Sequence, residues 1–75
     1  MQRYGDLSGH SGVTAYEVLP DGIKVEFSHG PVYLYTYASA GQEGIDKMKE
    51  AALAGHGLAT YISHNVRGRF AERLK

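Results

Sequence analysis

Apolar and polar positions change period partway along this chain, and each period predicts a different element. Ile23-Lys24-Val25-Glu26-Phe27 alternates apolar with charged residues, and Tyr33-Leu34-Tyr35-Thr36-Tyr37 alternates three tyrosines with smaller side chains. A period of two is that of a β-strand, whose successive side chains point to opposite faces. Residues 13–18 are rich in β-branched and aromatic types and read as an earlier strand. Leu19-Pro20-Asp21-Gly22 closes it, with proline presetting φ and glycine accepting a left-handed backbone. Ser28-His29-Gly30 leads into the tyrosine strand. Together they predict a three-stranded antiparallel meander over residues 13–37.

After Tyr37 the spacing becomes helical. Ile45, Met48, Ala52 and Leu53 recur on one side while Asp46, Lys47, Lys49 and Glu50 take the other, so residues 42–54 read as an amphipathic helix. Ser39 and Gln42 have capping-box spacing, and Gly55 is placed to end the helix. Gly44 weakens the first turn by about 1 kcal/mol relative to alanine, which moves the expected start later. A short second helix over residues 57–64 presents Leu58, Tyr61 and Ile62. Residues 1–12, with three glycines and two serines, read as an irregular lead-in, and residues 65–75 as a basic tail. The expected fold is α+β: one domain over residues 1–75, a three-stranded antiparallel meander packed on one face by two C-terminal helices, the second short.

Hairpin register decides which face the tyrosines occupy, because a shift of one residue exchanges the faces of the whole strand. A three-residue loop, Ser28-His29-Gly30, pairs Phe27 with Pro31 and puts Tyr33 and Tyr35 beside Val25 and Ile23. A two-residue loop, His29-Gly30, pairs Phe27 with Val32 and sends the tyrosines outward. The first is favoured, since histidine suits the left-handed first position of a type I′ turn poorly.

Composition narrows the partners. The 75 residues contain no cysteine, so neither a disulfide nor a thiolate metal site staples a domain that buries only about 60% of its unfolded surface. No N-terminal apolar h-region and no membrane-length apolar run is present, so a soluble, cytoplasmic protein without a membrane partner is expected. Eight basic and eight acidic residues cancel, yet Arg67, Arg69, Arg73 and Lys75 against Glu72 give the last nine residues +4 − 1 = +3, leaving −3 on the rest. That asymmetry permits a basic contact surface. His10, His29, His56 and His64 lack ligand spacing on any one helix face, and no nucleophile elbow or acid–base arrangement accompanies them. No catalytic residue, metal or cofactor is assigned, and enzyme activity is not expected. Gly55-His56-Gly57 lacks the lysine of a phosphate-binding loop and reads as a helix stop followed by a restart.

The tyrosine motif Tyr33-Leu34-Tyr35, preceded by Val25-Glu26-Phe27 and Gly30, and the distal block GLATYISHNVRGRF ending at Phe70 resemble the KTSC domain family, found at the C-terminus of some lysyl-tRNA synthetases and as small stand-alone bacterial proteins. The likeness spans about residues 11–70. It departs from the common pattern at Ala38-Ser39-Ala40-Gly41, where many members have a Val-Pro step, and at Ile62-Ser63, where Phe-Asn is frequent. The resemblance implies an α+β fold of unknown activity, with RNA as a partner suggested by the synthetase association. Tyr33 and Tyr35 match the family motif and read as structural core, or alternatively as a platform on which bases stack. Arg67, Arg69, Arg73 and Lys75 are the candidate phosphate contacts, with Tyr61 as the stacking aromatic. The alternative is a protein-interaction module, or a homodimer joined through the open sheet face at Val32 and Leu34.

Overall fold

The computed structural model of the chain describes residues 1–5, 12–28, 30–66 and 68–75. Among them the fold is α+β, and its sheet has five antiparallel strands in sequence order rather than three. The strands are β1 (Gln2–Arg3), β2 (Val13–Leu19), β3 (Gly22–Phe27), β4 (Val32–Thr36) and β5 (Glu72–Arg73). Between β4 and β5 come α1 (Tyr37–Ala40), α2 (Gln42–Ala54) and α3 (Leu58–Tyr61), the last running directly into a π-helical stretch, Ile62–Val66.

The two additional strands are the chain ends. Gln2 pairs with Tyr16 and Arg3 with Ala15 along one edge of the meander, while Arg73 pairs with Tyr33 and Glu72 with Leu34 along the other. An uncovered edge leaves a row of backbone donors and acceptors without partners, and two short terminal segments satisfy part of each row. The expected irregular lead-in is thus a strand at its start; its residues 6–11 lie outside the described residues. Tyr4 follows β1 into the core, where its hydroxyl accepts the Leu58 N–H at 3.2 Å and its ring stands edge-on to Tyr16. The expected basic tail likewise contains a strand, β5.

The central hairpin takes the three-residue loop. Phe27 N–H donates to Pro31 O at 2.9 Å, Gly30 N–H donates to Phe27 O at 2.9 Å, and Gly30 sits at φ 116°. Val25 therefore pairs with Tyr33 and Ile23 with Tyr35, which brings the tyrosines to the face carrying the helices. Tyr35 is only 2% exposed, whereas Tyr33, nearer the hairpin, is half-buried. Gly22 serves the adjoining turn differently from the expectation. Its backbone is not left-handed; instead a Cβ there would collide with the Tyr35 carbonyl oxygen and come within 3.1 Å of Thr36 Cα. The strands approach too closely at that point for any side chain.

Tyr37 is not the third rung of the tyrosine ladder but the first residue of α1. Thr36 caps that helix: its hydroxyl accepts the Ser39 N–H at 3.2 Å, and the Ser39 hydroxyl accepts the Thr36 N–H at 3.0 Å. This capping box stands three residues earlier than the expected pair of Ser39 and Gln42. On α2, Ile45, Met48 and Ala52 are buried over β3 and β4, each large side chain contributing about 1.5–3 kcal/mol. Leu53, assigned to the same stripe from its sequence position, is instead 69% exposed, because one residue beyond Ala52 turns it about 100° away from the core. Gly44 does not delay α2. It is buried within the helix, where an added Cβ would meet Val66 Cγ1 at 3.4 Å and the Tyr61 hydroxyl at 3.7 Å, ordinary contact distances. Gly55 ends α2 in the left-handed conformation at φ 72°. Leu58, Ile62 and Val66 complete the core. Among the described residues no helix is long and apolar enough to cross a membrane.

Candidate functional site

The C-terminal segment joins the sequence-derived basic residues to the sheet. Arg69 N–H donates to Val66 O at 2.9 Å, Ala71 N–H to Leu34 O at 2.7 Å and Leu74 N–H to Val32 O at 2.7 Å, while Val32 N–H donates to Lys75 O at 3.2 Å. Gly68, at φ 79°, turns the chain from the π-helical stretch towards this path. Because paired residues on adjacent strands share a face, Arg73 lies on the tyrosine side of the sheet and Glu72 on the outer side. The Arg73 guanidinium stands 5.9 Å from the centroid of the Tyr33 ring, and its Nε donates to Lys75 O at 3.0 Å. At an exposed site such a cation–π contact is worth about 0.5–1 kcal/mol.

Phe70 completes an aromatic group with the sheet. Its ring centroid is 4.6 Å from that of Tyr33 at a 45° tilt, and 6.4 Å from that of Tyr35 in an edge-on arrangement. Phe27 also meets Tyr33, at 5.6 Å and edge-on. Between these rings opens a cleft of about 340 Å³ lined by Phe27, Tyr33, Tyr35, Ile62, Gly68 and Phe70. Burial, reinforced by the neighbouring Tyr33 phenol, pushes the Tyr35 hydroxyl up to about 12. That group is a neutral hydrogen-bond donor throughout the physiological range. A hollow of about 550 Å³ at β1 is lined by one arginine, Arg3, together with Glu26, and by no comparable set of rings.

No family model, curated protein or solved structure matches this chain.

The predicted site residues are divided by the fold. Arg69, Arg73 and Lys75 are exposed on the C-terminal segment, and Arg67 lies outside the described residues. Tyr61, expected beside them, is half-buried with its hydroxyl over the first turn of α2. The aromatic brought to Arg73 is Tyr33, against which Phe70 packs. Tyr33 and Tyr35 do not form a bare platform, since Phe70 covers them and Tyr35 is core. The outer patch is smaller than expected as well: Val32 is 7% exposed, with its backbone N–H and C=O bonded to the C-terminal segment, leaving half-buried Leu34 and exposed Leu74. Phe70 is the residue that sequence reasoning passed over. A single phenylalanine among charged neighbours produces no periodicity, and its only signal was its place at the end of the distal block. His56 and His64 are exposed, His10 and His29 lie outside the described residues, and no group of three potential metal ligands occurs among those described.

Proposed function

We propose that this chain is a small non-enzymatic binding module for RNA in the cytoplasm, contacting phosphates through the basic C-terminal segment. The observation that carries the reading is Arg73 held over Tyr33, beside a Phe70 ring that is 39% exposed, on a segment that also bears Arg69 and Lys75. Cations supply sequence-independent affinity, and an accessible ring beside them offers a base somewhere to stack. The concentration of positive charge at this end of an otherwise acidic chain supports it, and so does the resemblance of the Tyr33-Leu34-Tyr35 and distal blocks to KTSC domains.

Affinity should be modest. Three or four neutralised phosphates give a salt slope of about −2 to −3 for a single strand. Anisotropy of a labelled, unstructured RNA should therefore fall steeply between about 50 and 200 mM salt. The double variant Arg69→Gln, Arg73→Gln should weaken binding to all sequences alike, because phosphate contacts position without specifying. No detectable binding at the lower salt, or binding indifferent to both substitutions, overturns the reading and turns attention to a protein partner at Leu34 and Leu74.

A further inference from the structure

Phe70 holds an unusual position for a large apolar side chain. It follows two exposed residues, it is followed by a charged strand, and its ring remains 39% exposed although it packs against two tyrosines. The cleft beside it is floored by buried Tyr35 and Ile62 and walled by Phe27, Tyr33 and Phe70. Its volume, about 340 Å³, lies at the low end of the range for small-molecule clefts, room for one planar ring system rather than a stack of several.

The charged groups that neighbour these rings restrict what that ligand ring can be. Arg73 has one N–H committed to Lys75 O, and among the described residues no carboxylate pairs with its remaining donors. Those donors stand near the ring of Tyr33, one of the residues that line the cleft, with Arg69 next to Phe70 along the chain. A flat π-face thus lies near a guanidinium only one of whose N–H groups is engaged, a combination that matches a nucleobase carrying its own phosphate. An aliphatic or anionic peptide side chain would use only one of the two features.

We infer that the cleft between Phe70 and the tyrosines holds one unpaired nucleobase stacked on Phe70, with the phosphate of the same nucleotide on Arg73. This deepens the RNA reading, on which it rests, by making the module selective for single strands. In a duplex both faces of each internal base are covered by its neighbours, so none is presented to Phe70.

Two measurements on the full chain test it. In the first, adenosine 5′-monophosphate is titrated against the protein with ribose 5-phosphate as control, and the ring protons of Phe70 and Tyr33 are followed by NMR; the nucleotide should shift them and the sugar phosphate should not. In the second, an unstructured RNA of about eight nucleotides is compared with a blunt duplex of equal length. The single strand should bind more tightly, and Phe70→Leu, which keeps an apolar side chain against Tyr33 but removes the π-face, should lower its affinity about 5- to 100-fold. If Arg69→Gln, Arg73→Gln weakens binding while Phe70→Leu and duplex formation leave it unchanged, RNA binding stands and the base cleft is overturned. If nucleotide shifts the rings but no RNA binds, the cleft stands and the RNA reading falls. If the rings do not move and no RNA binds, both fall.

Discussion

Truncating Tyr35 tests the packing argument where it is strongest. The ring is 2% exposed on the face of β4 that the helices cover, with Ile23 opposite it in the register and Phe70 edge-on at 6.4 Å. Large aromatic-to-alanine changes in cores cost about 3–5 kcal/mol, from lost transfer energy plus the cavity left behind. A domain of 75 residues has about 4–11 kcal/mol in all, so Tyr35→Ala should remove about a quarter of the stability or more. With an unfolding entropy of about 2.1 cal/mol/K per residue, that loss lowers the melting temperature by about 20–30 °C. Urea titration followed by far-UV circular dichroism reads it directly, and Tyr35→Leu, expected to cost about 1–2 kcal/mol, keeps the site measurable if the alanine variant does not fold. Tyr33→Ala supplies the contrast: two residues along the same face but only half-buried, it should cost about 1–2 kcal/mol. A Tyr35→Ala cost below about 1 kcal/mol, or one smaller than that of Tyr33→Ala, would refute the register and the face assigned to the tyrosines.

Three further outcomes follow from the same structure. Gly22→Ala should destabilise by more than about 2 kcal/mol in a thermal melt, since its Cβ meets the backbone of β4 rather than a movable side chain; a neutral result would show that β3 and β4 are less close there. Tyr4→Phe should cost about 1–3 kcal/mol by leaving the buried Leu58 N–H without its acceptor, and Leu58 amide exchange should accelerate; unchanged exchange would place that N–H against another partner. Tyr35, held up near 12 chiefly by burial, keeps its proton in the folded state after the unfolded chain has lost it at about pH 10. Its contribution is therefore fully present below about pH 10 and lost as pH rises towards 12, by at most about 2.7 kcal/mol. Tyr35→Phe should flatten that part of the stability curve, and an unaltered slope would assign it to other groups.

Much of the fold was legible because the relevant physics is local. Alternation in residues 23–27 and 33–36 could satisfy only a strand, and the poor fit of His29 to a left-handed turn position selected the loop that carries the tyrosines inward. The spacing of Ile45, Met48 and Ala52, with Gly55 beyond them, defined α2 and its end. Leu53 was misassigned because an apolar run, here Ala51 to Ala54, does not say which of its members points inward, and Tyr37 because Thr36 and Ser39 form a cap that overrides strand periodicity. What only the tertiary structure decided lies at the two ends. Gln2, Arg3, Glu72 and Arg73 carry no hydrophobic alternation; they become strands because β2 and β4 present unfilled edges, a property of the assembled meander rather than of these residues. The candidate site inherits that dependence. Positive charge near the C-terminus was visible in the sequence, but its union with Phe70 and Tyr33 exists only once β5 docks, because backbone hydrogen bonds between distant segments set which side chains meet.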